Sequence, residues 1–99
     1  MWILHASDSG IEPLTLRISP RATKTIGRSP GADFMIDEAL VSRLHCRLEA
    51  SDQTLDVVDL ASTNGTYVND KRIDRARLKS GDRLRIGRIE MTVQKAENA

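Results

Sequence analysis

The sequence is poor in the residues that small proteins use as staples. It has one cysteine, Cys46, in 99 residues, which excludes an internal disulfide and a cysteine-based zinc cage. Its two histidines, His5 and His45, lie far apart in the chain, so nothing in the spacing suggests a metal centre. The aromatic residues are Trp2, Phe34 and Tyr67 alone; Ile, Leu and Val must fill the core, and the stacking platform of a single-strand nucleic-acid binder is missing. No apolar run approaches the ~18 residues needed to cross a bilayer. The opening MWILHASDSG lacks the basic start of a secretory leader. Neither sign of charge dominates: fifteen Lys and Arg against fourteen Asp and Glu leave +1, unlike the basic face of a general nucleic-acid or membrane binder. These absences predict a cytoplasmic protein with no metal, no cofactor, no nucleic-acid partner and no membrane partner.

What remains is ordinary globular composition, 39% hydrophobic and 29% charged, in a length that allows one domain. A chain this short buries about two-thirds of its unfolded surface, which leaves little room for a deep pocket with catalytic machinery. Within the cations, eleven Arg outnumber four Lys, and Arg is the side chain suited to two-toothed contacts with phosphate or carboxylate.

Period-two alternation runs through most of the chain. Strands are expected at 1–6, 14–18, 22–26, 33–36, 45–50, 54–60, 66–69, 83–86 and from 89 onward, with a turn at Ser7-Asp8-Ser9-Gly10. On the fifth of these, Cys46, Leu48 and Ala50 share one face and Arg47 and Glu49 the other. On the last, Ile89, Met91 and Val93 face inward. No capped helical stripe is present. Short strands with turn signals every 8–12 residues or so predict an all-β sandwich or small barrel. One domain is expected over 1–95, with a frayed tail over 96–99.

The chemically loaded residues fall in three connections: Gly27-Arg28-Ser29, Ser42-Arg43-Leu44-His45 and Ser62-Thr63-Asn64-Gly65-Thr66. All three offer donors, and none offers a carboxylate to repel an anion. Arg28 and Arg43 beside the hydroxyls of Ser42 and Thr63 suit a phosphate-like group. Charge-assisted hydrogen bonds contribute roughly 1.5–3 kcal/mol each, enough for a few of them to select a phosphorylated ligand.

In these motifs the sequence resembles the forkhead-associated (FHA) domain family. They are IGRS at 26–29, VSRLHC at 41–46, DLASTNGTYVN at 59–69 and LKSGDRLRIG at 78–87, in the family's order and spacing. The resemblance implies a mostly antiparallel sandwich of two twisted sheets whose apical loops bind a phosphothreonine in an extended peptide. It makes Arg28 the arginine that grips phosphate and Ser42 a hydroxyl donor to it. Thr63 would approach the same oxyanion, and Asn64 would bond the peptide main chain. Gly27 would allow a tight strand exit, His45 would tie the loops together, and Gly65 would take a left-handed turn. Arg43 stands at a variable family position; its expected role is a second cation for the phosphate or for an acidic ligand residue. Asp70 stands where the family often has glycine, in the hairpin at 68–71. The implied partners are a phosphothreonine-containing protein and the Ser/Thr kinase that marks it.

Each of these residues also has a plainer reading. Arg28 alone reads as a surface ion pair, Ser42 and Thr63 as turn hydroxyls, and Asn64-Gly65 as a hairpin signal. Ser42, His45 and Asp59 contain the side-chain types of a hydrolase triad, but no nucleophile elbow surrounds Ser42. Cys46, on the alternating apolar face, reads as a small core residue. The basic run Lys71, Arg72, Arg75, Arg77 and Lys79 is interleaved with Asp70, Asp74 and Asp82 and reads as a solvated surface. The favoured function is a non-catalytic phosphothreonine adaptor; the alternative is an assembly domain that docks partners without phosphate.

Overall fold

The computed structural model describes residues 1–6 and 13–96. The expected turn at 7–10 and tail residues 97–99 lie outside the described residues. In chain order the strands are β1 Trp2–Ala6, β2 Leu14–Ile18, β3 Thr23–Gly27, β4 Phe34–Met35, β5 Cys46–Ala50, β6 Leu55–Asp59, β7 Thr66–Val68, β8 Lys71–Ile73, β9 Arg75–Leu78, β10 Arg83–Ile86 and β11 Ile89–Lys95. They form two sheets, β2-β1-β11-β10-β7-β8 and β4-β3-β5-β6-β9. The short β4 lies parallel to β3, and the other pairings are antiparallel. The all-β sandwich expected from the alternation is the observed architecture. Among the described residues no helix is long and apolar enough to cross a membrane.

Alternation sets the core. Along β11, Ile89, Met91 and Val93 are buried while Thr92 and Gln94 are exposed, because successive side chains leave opposite faces of a strand. Leu4, Leu84 and Ile86 join them from the first sheet; Ile26, Cys46, Leu48, Leu55 and Val57 face them from the second, all fully enclosed. Ala50, expected to share the inner face of β5, is partly buried against this core. Each enclosed Leu, Ile or Val contributes about 1.5–3 kcal/mol, so a core almost without aromatics still holds the two layers.

Two strands were not anticipated as such. Residues 71–73 and 75–78 read as a basic surface run, yet they form β8 and β9 at the two sheet edges. On β9, Arg75 pairs with Glu49 and Asp56, and Arg77 pairs with Asp56; Arg47 also pairs with Glu49. This lattice of opposite charges covers the outer face of the second sheet. Asp82, read as part of the same surface mixture, is buried, where its carboxylate accepts from the Asn69 amide and the Lys79 backbone N–H. The β7–β8 hairpin turns through Asn69 and Asp70, both at positive φ (51° and 68°), as a two-residue hairpin with the twist of the sheet requires.

The sandwich has two distinct ends. The β10–β11 turn and the β3–β4, β4–β5 and β6–β7 connections gather at one. At the other, the Ala96 N–H donates to the Met1 carbonyl at 2.9 Å, and Lys95 Nζ reaches the Gln53 side chain at 2.9 Å from the β5–β6 turn.

Candidate functional site

The three connections singled out in the sequence meet at the first of these ends. As β3 runs out, the Arg28 N–H donates to the Ser42 carbonyl at 2.9 Å and the Ser29 N–H to the Arg43 carbonyl at 3.0 Å. The Arg28 side chain folds along the same segment, its Nε donating to the Val41 carbonyl at 3.1 Å. Gly27 makes this zippering possible. A Cβ there would sit 2.0 Å from the Arg43 carbonyl oxygen, so the position needs close backbone approach. The expected reason, a tight exit from the strand, is replaced by this one; Gly27 is not among the positive-φ glycines.

His45 is fully enclosed and joins the β4–β5 and β6–β7 connections through one ring. Nδ1 accepts the Ser42 backbone N–H at 3.0 Å, and Nε2 donates to the Gly65 carbonyl at 2.8 Å. A carbonyl only accepts, so the ring proton between them is on Nε2. The His45 backbone closes the same corner, its N–H donating to the Ile26 carbonyl and its carbonyl accepting from Leu60. The hydrolase reading dissolves on this geometry. His45 Nδ1 is occupied by the backbone of Ser42, and Asp59 accepts from Ser62 and Thr66 rather than from the ring.

Asp59 instead organises the β6–β7 connection. Its Oδ1 accepts from the hydroxyls of Ser62 at 2.5 Å and Thr66 at 2.7 Å, and the Ser62 hydroxyl oxygen in turn accepts the Gly65 N–H at 3.0 Å. Partial burial pushes the Asp59 carboxyl up, but the hydrogen bonds from Ser62 and Thr66 outweigh it and hold the group below the ordinary carboxylate range. Beneath it, burial and then the Asp59 charge push the Cys46 thiol up to about 12, which makes it an inert core group. Gly65 takes φ +90°, the left-handed turn expected of it. Ala61, within the same connection, also stands at positive φ (55°), without a glycine's freedom.

Ser42, Thr63 and Asn64 are brought together with donors to spare. Ser42 Oγ accepts the Thr63 N–H at 3.0 Å, so its own hydroxyl proton is left for another acceptor. Asn64 Nδ2 donates to the Leu40 carbonyl at 3.0 Å, which pins the β4–β5 connection and leaves the amide oxygen and a second N–H. Among the described residues the terminal guanidinium nitrogens of Arg28 have no hydrogen-bond partner, and Arg43, exposed beside Ser42, forms no ion pair.

Glu38 also holds this end together and was not singled out from the sequence. Its carboxylate accepts the Leu40 N–H at 2.6 Å and the Arg88 N–H at 3.3 Å. It packs on Gly87, where a Cβ would lie 2.7 Å from its Oε2. The only available hint was an acidic residue two positions before a loop leucine.

The two-sheet all-β architecture agrees with the comparisons with known proteins. The FHA domain family model matches residues 24–87. The oxoglutarate dehydrogenase inhibitor of Corynebacterium diphtheriae is 41% identical over 71 residues, 72% of this chain and 50% of that protein. The glycogen accumulation regulator GarA of Mycobacterium tuberculosis is 38% identical over 71 residues, 72% and 44% of the two chains. The chain spans about half the length of these curated relatives. Among solved structures, the FhaA FHA domain complexed with the intracellular domain of Rv3910 has a TM-score of 0.84 at 33% identity, over 95% of this chain and 100% of that one. Mycobacterium tuberculosis EmbR in complex with a low-affinity phosphopeptide has a TM-score of 0.83 at 32% identity, over 99% and 25%. On sequence and structure together, the chain belongs to the forkhead-associated domain family.

Proposed function

We propose that this chain is a non-catalytic recognition module that docks a phosphothreonine-containing segment of a protein marked by a Ser/Thr kinase, in the cytoplasm. The observation that carries the reading is the pairing of Arg28 with the Ser42 segment through a backbone bond of 2.9 Å. It sets a guanidinium beside a hydroxyl whose proton is unspent. Arg28 and Arg43 supply the charge for the phosphate, and Ser42 and Thr63 supply hydroxyl donors to its oxygens. Asn64, with half of its amide committed to Leu40, uses the other half to hold the peptide main chain. His45, Gly27 and Gly65 are the supports that keep these groups in place. The named regulators among the relatives and the phosphopeptide complex of EmbR support this reading.

Calorimetric titration with matched peptides carrying Thr, phosphothreonine or phosphoserine tests it. Binding near micromolar, or ~8 kcal/mol, is expected for the phosphothreonine peptide alone. Arg28→Ala should lower that affinity by about 10- to 150-fold, the worth of a charge-assisted bond, while leaving the folded state intact. Equal binding of the unphosphorylated peptide, or an interaction indifferent to Arg28→Ala, would overturn the reading in favour of phosphate-independent assembly.

A further inference from the structure

The net charge of +1 conceals an uneven division between the two outer faces of the sandwich. Of the eleven arginines, Arg47, Arg75 and Arg77 lie on the second sheet and are paired there with Glu49 and Asp56. Arg21 pairs with Asp52 and Arg88 with Glu38, while Arg28 and Arg43 stand at the loop end. The remaining four, Arg17, Arg72, Arg83 and Arg85, all occupy outward positions of the first sheet.

The strand registers set them in rows. One row across this face runs Glu90, Arg85, Tyr67, Arg72. The next runs Thr15, His5, Thr92, Arg83, and a third Arg17, Ile3, Gln94. Among the described residues, Glu90 is the carboxylate within these rows, and no ion pair joins it to Arg85 across the strand. Asp70 reaches Arg83 from the hairpin at 3.6 Å, but both side chains are exposed (50% and 69%), and such a pair contributes little. Arg17, Arg72 and Arg85 have no carboxylate within ion-pair distance among the described residues. Arg85 is held instead over the half-buried Tyr67 ring, 4.2 Å from its centroid. The face is six strands wide, about 24 Å at ~4.8 Å per strand spacing.

The make-up of the face selects its partner. Its cations are guanidiniums: Lys71 and Lys95, on the same sheet, lie across from the inward Val68 and Trp2. Arg and Tyr with little Lys is the composition of protein–protein contacts, and half-buried Ile3 adds an apolar position among them. Glu90 would oppose a continuous phosphate surface, whereas a mosaic of carboxylates and donors accommodates it. A second copy is a poor match, since face against face sets guanidinium against guanidinium and the opposite face already neutralises its own charges.

We infer that the outer face of the first sheet is a docking surface for the Asp- and Glu-rich surface of another protein, with Arg17, Arg72, Arg83 and Arg85 as its charged contacts and Tyr67 at its centre. Few contacts over this width make the docking transient. The surface stands apart from the phosphothreonine reading and meets the loop end only at Arg72, which lies against the Gly65 turn.

The test is an amide-shift NMR titration with a peptide alternating six Asp with Thr, beside its Asn counterpart, a thymidine oligonucleotide with six phosphates and phosphatidylglycerol-containing vesicles of equal total charge. The Asp peptide should shift amides of β1, β2, β7, β8, β10 and β11 and leave those of β5, β6 and β9 in place, with an affinity that falls as salt rises. The Asn peptide should shift none. Arg83→Glu with Arg85→Glu should weaken the binding by about tenfold, two exposed pairs reversed in sign, and Arg17→Glu with Arg83→Glu should do so without disturbing the Tyr67 contact. Arg21→Glu with Lys79→Glu makes the same change in net charge away from the face and should leave the binding within about twofold of wild type. Each variant's amide spectrum reports that it is folded, and affinity for a phosphothreonine peptide should be the same in all of them. No binding of the Asp peptide, shifts centred on the Arg28 and Ser42 connections, or equal weakening by the Arg21 and Lys79 pair overturns the inference. Tighter binding of the oligonucleotide or the vesicles at this face overturns it in favour of a nucleic-acid or membrane surface.

Discussion

One buried ring sets the distance between two exposed loops: His45 donates from Nε2 to the Gly65 carbonyl at 2.8 Å while its other nitrogen holds the Ser42 amide. The groups proposed to meet the ligand are surface groups, but their spacing is decided one layer below. His45→Ala removes two hydrogen bonds and leaves a cavity in an enclosed corner. A loss of about 2–4 kcal/mol in urea denaturation is expected, together with weakened phosphopeptide binding at temperatures where the variant is still folded. Unchanged affinity in the folded variant would mean that the loops keep their spacing without the ring.

Gly27 offers a sharper steric test. The atom that a new Cβ would meet at 2.0 Å is a backbone carbonyl, which has no rotamer to escape into. Gly27→Ala should therefore destabilise by about 2–4 kcal/mol and push the 41–43 segment away from Arg28. Gly31→Ala is the control: its nearest neighbour is the Ser29 hydroxyl at 3.5 Å, and its denaturation midpoint should stay close to wild type.

Ala61 holds a left-handed conformation at φ 55°, in which an L side chain is strained. Ala61→Gly should relieve more strain than it costs in chain entropy, for a net gain of about 0.5–1 kcal/mol. In a domain of this size that corresponds to a rise in Tm of about 2–8 °C, readable by calorimetry. A fall in Tm would show that the strain at this turn is negligible.

Acid should unfold the protein through a small set of carboxylates. Hydrogen bonds hold Asp59 below its ordinary value of 3.8 despite partial burial, and bonds from Arg77 and Arg75 do the same for Asp56. A carboxyl with a lowered folded value contributes stability above its unfolded value and loses it as pH falls through the folded one. Urea midpoints should hold down to about pH 5 and fall steadily below about pH 4. Asp59→Asn, less stable at neutral pH, should show a shallower fall.

Much of the sandwich was legible because alternation is a local signal. The strands at 14–18 and 83–86 are the observed β2 and β10, since one face of each is core and the other is water. β8 and β9 were hidden for the converse reason. They are edge strands of three and four residues whose side chains are mostly charged and exposed, and their pairing is fixed by partners distant in the chain. The site divides the same way. Arg28, Ser42, Thr63 and Asn64 carry side-chain chemistry that a sequence states outright. The reason for Gly27 and the anchoring by Glu38 depend on which backbone crosses which, and no spacing expresses that. Asp59 shows both limits at once: its residue type suggested a triad, while its neighbours Ser62 and Thr66 make it a loop clamp.

The bond between the Ala96 amide and the Met1 carbonyl bears on how this unit can be joined to other molecules. Polypeptide, dye or resin attached through either of these residues departs side by side from the floor of the sandwich, with the whole height of β11 between it and the end where the Arg28, Ser42 and Asn64 connections meet. Grafted through both into a loop of an unrelated host, a closed insertion of the kind domains tolerate, the module would be presented like a cup on a stem, mouth outward.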